Sequence, residues 1–195
     1  MLKTLQNAWK DKEIRKKLLY TFMMLVVIRF GSELPIPGVN TSYFAEFFAK
    51  QSGDAFNFFD AMTGGSFTSL SVLALSITPY ITSSIIMQLL TIAIPKLEEM
   101  QREGEDGRKK IAEYTRYLTV VLALMESTAM AVGFGGQGML IGYNEQGFLG
   151  KASMVAIAVL TMTAGSAFLM WVGERITEKG IGNGISIVLL FNIVS

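Results

Sequence analysis

Glu126 is the residue whose type and position most demand an explanation. It falls midway along an apolar run, residues 111–134, and is the only acid deep in any such run. A carboxyl in mid-bilayer is costly and marks a functional position by default. Two uses fit it: a proton relay, or a polar contact that holds a gate between helices. A structural carboxyl, hydrogen-bonded to a neighbouring helix through Ser84 or Gln88, is the alternative. Arg29 is the other charge of interest, near the far end of the apolar run 18–34. There its stem can lie in hydrocarbon while the guanidinium reaches the interface or caps the helix. Beyond these two residues the chemical repertoire is thin. The chain has neither Cys nor His. That removes thiolate nucleophiles, disulfides, the commonest general base and the commonest metal ligand. There is no paired-carboxylate constellation for acid–base work. The expectation is a protein that is not an enzyme, with no catalytic residue, metal ligand or cofactor to assign.

Three short motifs invite chemistry and do not support it. Gly104-Glu-Asp-Gly107-Arg-Lys-Lys110 suggests a phosphate loop, but it lacks the Walker spacing, no strand precedes it and its acids repel phosphate. A solvated hairpin tip is expected there. Gly180-Ile-Gly-Asn-Gly184 matches a dinucleotide fingerprint only in its glycines, with no βαβ context. It reads as a turn feeding the next helix. Asn40-Thr41-Ser42 is a glycosylation sequon of a kind common by chance.

The elements that must position Glu126 are set by the distribution of charge. Half the residues are apolar and net charge is near zero, yet Lys and Arg are segregated into alternate gaps between long apolar blocks. Lys3, Lys10, Lys12, Arg15, Lys16 and Lys17 precede the first block. Lys96, Arg102, Arg108, Lys109, Lys110 and Arg116 flank the second gap on the same side, and Arg175 and Lys179 sit in the fourth. The intervening gaps hold only Lys50 and Lys151. Positive charge stays on the cytoplasmic side of a membrane, so a multi-pass protein with a cytoplasmic N-terminus is expected. No cleavage site follows the first block.

Spans are expected at about 18–34, 72–94, 111–134, 152–172 and 185–195. Residues 1–17, with Leu2, Leu5 and Trp9 at helical spacing, read as an amphipathic segment on the inner surface. The second span is interrupted by Pro79 and ended by Pro95. Its polar load from Ser76 to Thr91 requires that one face meet protein or water. Between the first two spans lie stripes too short to cross, Tyr43, Phe44, Phe47 and Phe48, then Asn57, Phe58, Phe59 and Met62 before Gly64-Gly65; they look re-entrant or interfacial. The fifth block stops after about half a bilayer, at 1.5 Å per residue, so a helix cut in its middle is expected.

Several long stretches in this order resemble the SecY family, the central subunit of the general protein-translocation channel. Ile28–Gly38 (IRFGSELPIPG) is similar to the family's end of helix one, Phe56–Leu70 to its plug, Ser76–Leu90 (SITPYITSSIIMQLL) to helix 2b, and Trp171–Ser195, with Glu174–Ser186 (ERITEKGIGNGIS), to the fourth-to-fifth connection. The resemblance implies an all-α polytopic membrane bundle, one five-helix half of an inverted-repeat fold, with a short re-entrant plug helix. It implies a pore ring at Ile81, Ile85, Ile185 and Leu189, where isoleucine is usual at the last position. From periodicity alone those four are ordinary packing residues. It implies a plug including Phe59, Met62, Gly64, Gly65 and Phe67, loosely tethered with a Gly64-Gly65 hinge, and a lateral gate with Ser84, Gln88 and Glu126, the last replacing a residue that is often an amide.

The implied task is to pass secretory polypeptides across the bilayer and release membrane segments into it, in the inner (plasma) membrane. Implied partners are lipid, signal sequences and unfolded polypeptide, then SecE, SecG, the SecA motor and the ribosome; nothing points to nucleic acid. Only the first half is covered, so this stretch by itself is not expected to translocate. Two other readings stay open from the residues. One is half of an inverted-repeat transporter, with Pro79 in a broken helix and Glu126 as proton carrier. The other is an assembly module that buries its polar face against a second copy about a two-fold axis.

Overall fold

Helix α1 (Lys12–Ser32) begins where Asp11 accepts a hydrogen bond from the Glu13 backbone N–H at 2.9 Å, the usual way an N-cap satisfies an orphan donor. It ends just before the Pro35-Ile36-Pro37 stretch, which cannot continue a helix. The computed structural model describes residues 11–42, 46–47, 54–145 and 147–194. The amphipathic segment expected at 1–17 therefore lies mostly outside the described residues, as do Tyr43, Phe44 and Phe48. Among the described residues the further helices are α2 (Asp54–Thr63), α3 (Thr78–Ala93), α4 (Pro95–Arg102), α5 (Glu105–Phe134), α6 (Phe148–Lys179) and α7 (Gly184–Val194). No strand occurs among them, only isolated bridges between Pro35 and Ser71 and between Val39 and Leu140.

Among the described residues two helices, α5 with its π-type extension to Met139 and α6, are long and apolar enough to cross a membrane; α3 with α4 makes a third if the bent pair counts as one span. Lys16, Lys17 and Arg29 fall within the 21 residues of α1, which lowers its apolarity. Large side chains on the outer faces, such as Phe22, Met23 and Phe30 of α1, Met125 of α5 and Leu160 of α6, are exposed, as lipid contact requires.

Helix α6 is the axis of the bundle, packed by α5 on one flank and α7 on another, with α1 beside it. Small residues allow this. Thr119, Ala123 and Ser127 of α5 are buried with Ala158, Thr163 and Ser166 of α6, and the Ser127 and Thr163 hydroxyls meet at 3.1 Å. Membrane helices associate through such close packing and hydroxyl contacts rather than through a hydrophobic drive. A Cβ on Gly165 would lie 2.0 Å from the Val72 carbonyl oxygen, and one on Gly184 2.0 Å from that of Gly173. Backbone therefore touches backbone at both places.

The stretch expected to open the second span is not helical. Residues 71–77 form irregular turns and α3 starts at Thr78, with Pro79 in its first turn. Proline is tolerated there because its missing N–H would be unpaired anyway. Ser76, at φ 53°, could not continue a right-handed helix. Non-helical backbone at membrane depth must be enclosed by protein; Leu73, Ala74, Leu75, Ser76 and Ile77 are all buried. The Ser76 hydroxyl accepts a hydrogen bond from Asn192 Nδ2 of α7 at 3.1 Å, also buried. Replacing Asn192 by leucine is expected to cost about 0.6–1.7 kcal/mol, the range for interhelical hydrogen bonds in membranes. Chemical unfolding in detergent would read this, and no loss would mean that the pair contributes nothing.

At the basic end, helix α4 lies just before the expected hairpin tip and is set at 102° to α3. Gly104, at φ 90°, makes the turn. Gly107 lies in α5, with the Met100 carbonyl oxygen 1.6 Å from where its Cβ would be, so it serves close approach rather than turning. At the opposite end, Ile36 N–H donates to Leu70 O (3.0 Å), Val72 N–H to Leu34 O (2.9 Å), Asn40 N–H to Met139 O (2.8 Å) and Ile141 N–H to Gly38 O (3.0 Å). These bonds knit three irregular segments over a core that includes Ile36, Phe67, Leu70, Met139 and Leu140.

Candidate functional site

Ile81 and Ile85 are one turn apart on α3, and Ile185 and Leu189 one turn apart on α7, so each pair shares a helix face. The two faces meet. All four side chains line one cleft of about 270 Å³, together with Tyr80, Ser84, Asn183 and Ser186. Ile85 is the most open, at 52% exposure. Behind the cleft, Ile77, Leu169, Val172, Ile176 and Val188 are buried as one cluster, with Ile81, Ile185 and Leu189 packed on it. That backing fixes how far the aliphatic groups can retreat.

The turn before α7 fixes the register of its two aliphatic residues. Asn183 Oδ1 accepts from the backbone N–H groups of Ile185 (3.1 Å) and Ser186 (3.4 Å), and the Gly184 N–H donates to Thr177 Oγ1 at 2.9 Å. The same turn is tied to α1, whose Thr21 hydroxyl accepts from the Ile181 N–H at 3.3 Å. The glycine-rich segment thus is a cap and connector.

Ser84 and Gln88 line a second, more polar cleft of about 220 Å³ between α3 and α5, with Tyr80, Thr91, Arg108 and Thr115. Glu126 is not part of it. It lies eleven residues beyond Thr115 on α5, about 16 Å along the helix axis, and among the described residues no hydrogen bond joins it to Ser84 or Gln88. The rise along α5 sets Glu126 apart from the cleft that holds Ser84 and Gln88.

Helix α2, the expected plug, packs against α7. Phe59 lies on it, but its side chain is outside the described set. Met62 is half-buried, Phe67 is buried, and Gly64 and Gly65 adopt φ of 64° and 75°, a conformation open mainly to glycine. The tether is tighter than two glycines suggest. Asp60 Oδ1 accepts from both the backbone N–H (3.1 Å) and the hydroxyl (3.0 Å) of Thr68. Thr63 Oγ1 donates to the Asp60 carbonyl at 3.0 Å and accepts from the Phe67 N–H at 3.3 Å. Short polar side chains close the loop where glycine alone would leave it free.

Two contacts escaped sequence reading. Arg116 Nε on α5 donates to Glu174 Oε1 on α6 at 2.8 Å, with Tyr80 beside the pair. Both charges were visible, but only as parts of the basic gaps and of a long motif. The pair is partly solvated, at 46% and 21% side-chain exposure, which keeps its contribution to about 0–1 kcal/mol. Asn192 had a usable signal: a lone amide within an otherwise apolar block.

The family model described as SecY matches residues 71–195. The chain is 44% identical over 183 residues to the protein translocase subunit SecY of Pseudomonas aeruginosa, covering 94% of this chain and 40% of that protein. The SecY subunit of Aquifex aeolicus is 42% identical over 200 residues, covering 100% and 46%. The chain belongs to the SecY family. It spans less than half the length of these relatives. A similar fold is seen in two solved structures, Sec61 in the canine ribosome-channel complex from the endoplasmic reticulum and a structure of a protein conducting channel. Each is 19% identical, with a TM-score of 0.62, covering 95% of this chain and 37% of the other. The all-α membrane bundle implied by the family motifs is the fold observed.

Proposed function

We propose that this chain supplies the first half of a protein-conducting channel, with Ile81, Ile85, Ile185 and Leu189 as its half of the pore waist. The observation that carries the reading is the cleft where those four side chains meet. Branched aliphatic groups suit a passage that must be leak-tight when idle and pliable in use. They exclude water from a narrow gap and offer no charge to hold a passing chain. On this reading α2 is the plug, the polar cleft at Ser84 and Gln88 belongs to the lateral gate, and Glu126 contributes farther out on the same seam. The substrates are signal sequences and unfolded polypeptide. The partners are the other Sec subunits, with motor and ribosome docking resting mainly on the second half. The membrane is the inner one, with the N-terminus cytoplasmic, and no catalytic step is assigned to the chain.

The transporter alternative has less support. Pro79 opens α3 instead of breaking a helix, and the Pseudomonas and Aquifex relatives are translocase subunits. The decisive experiment places photo-crosslinking residues at Ile81 and Ile85 in a complete channel carrying this chain and stalls a secretory polypeptide in transit. Adducts at both positions, absent at the lipid-exposed Leu160, are expected. No adduct at either would remove the pore assignment.

A further inference from the structure

Arg29 spans three elements that the family motifs treat separately. Its Nη1 donates to the Gly64 carbonyl oxygen at 3.3 Å, just past the end of α2. Its Nη2 lies 3.5 Å from Glu33 Oε1, one turn on along α1. Its stem lines an apolar cleft between α1 and α7 with Val26, Phe30 and Phe191.

The end of α2 is built to need such a group. The Gly64 N–H donates to Ala61 O at 3.3 Å and the Gly65 N–H to Asp60 O at 3.1 Å. Two left-handed glycines closing a helix this way satisfy its inner carbonyls. The carbonyl of Gly64 then points on beyond the helix. A helix C-terminus carries partial negative charge and favours a nearby cation, and the last turn of α2 contains no basic residue. The cation comes instead from α1, 35 positions earlier in the chain.

We propose that Arg29 is a positioning residue, a latch that holds α2 in its seat, with Glu33 orienting the guanidinium. The idea rests on α2 being the plug, and the experiment separates the two. Arginine suits the role because its planar fork can donate to a carbonyl and a carboxylate at once, whereas a lysine ammonium is a single point charge on a flexible stem. If Arg29 merely reached for the interface, lysine would replace it fully.

The chain has no cysteine, so a spin-label pair at Ala61→Cys on α2 and Leu190→Cys on α7 can be read in lipid nanodiscs without background. With Arg29→Leu, the narrow distance distribution between the labels is expected to broaden and the label on α2 to become mobile. Glu33→Gln should move both in the same direction by less, and Arg29→Lys should restore the native distribution only in part. The unfolding midpoint of the bundle should stay at the parent value. An unchanged distribution with Arg29→Leu overturns the latch. So does full rescue by lysine, or a broadening that appears only together with a lowered midpoint. Resting ion conductance, measured for Arg29→Leu in a complete channel, tests the plug reading separately. A mobile α2 with no added conductance upholds the latch and removes the seal.

Discussion

Replacing Gly184 by valine is expected to cost about 3 kcal/mol or more, at the upper end for overpacking a well-packed site. The cause is local and specific. A Cβ at that position would lie 2.0 Å from the Gly173 carbonyl oxygen, 2.7 Å from Ile176 Cβ and 2.9 Å from the Thr177 nitrogen. None of these is the movable tip of a side chain, so α7 itself must shift away from α6. That shift breaks the bond from the Gly184 N–H to Thr177 Oγ1 and opens the buried cluster of Ile77, Val172, Ile176 and Val188. It also carries Ile185 and Leu189 out of the cleft. Gly133→Ala is the control. Nothing lies within 4 Å of its Cβ position, and alanine in a helix interior is expected to stabilise by about 0.5–1 kcal/mol. Unfolding of both variants in mixed micelles, followed by circular dichroism, should show opposite signs. Equal behaviour would mean that α6 and α7 do not approach as closely as described.

The second large effect concerns the proposed waist. In a complete channel, Ile85→Asn together with Ile185→Asn is expected to raise resting ion conductance on the order of tenfold, equivalent to lowering a barrier by about 1.4 kcal/mol. Asparagine is close to isoleucine in length but offers a donor and an acceptor, so water remains in the gap that branched carbons would empty. Ile→Val at both positions keeps the surface aliphatic and should stay tight. Planar-bilayer recording distinguishes these outcomes. A tight double asparagine variant would show that the closed state is sealed elsewhere.

Much of this is legible in the sequence. Charge alternation marked the basic ends of the helices, and the long motifs pointed to the fold. Four aliphatic residues on two distant segments were paired by resemblance, and they share a cleft. What escaped has physical causes. Pro79 read as an interruption because a proline inside an apolar run looks the same whether it starts a helix or bends one. Only the left-handed Ser76 before it settles which. Gly107 read as a turn because close backbone approach leaves no mark in a single sequence. Glu126 was grouped with Ser84 and Gln88 because residues on adjacent helices carry no axial offset in their numbering. The bond from Arg29 to Gly64 depends on where α2 folds back, which neither periodicity nor charge encodes.

The right-angled corner at α4 limits how α3 and α5 can move relative to each other. This eight-residue strap, about 12 Å long, joins the two helices at their basic ends, and the Met100 carbonyl is pressed against Gly107 of α5. Separation there would first have to tear that contact apart. The two helices are pinned to each other at the basic end like the arms of a pair of dividers, so any displacement of one from the other must be smaller there than at the far end.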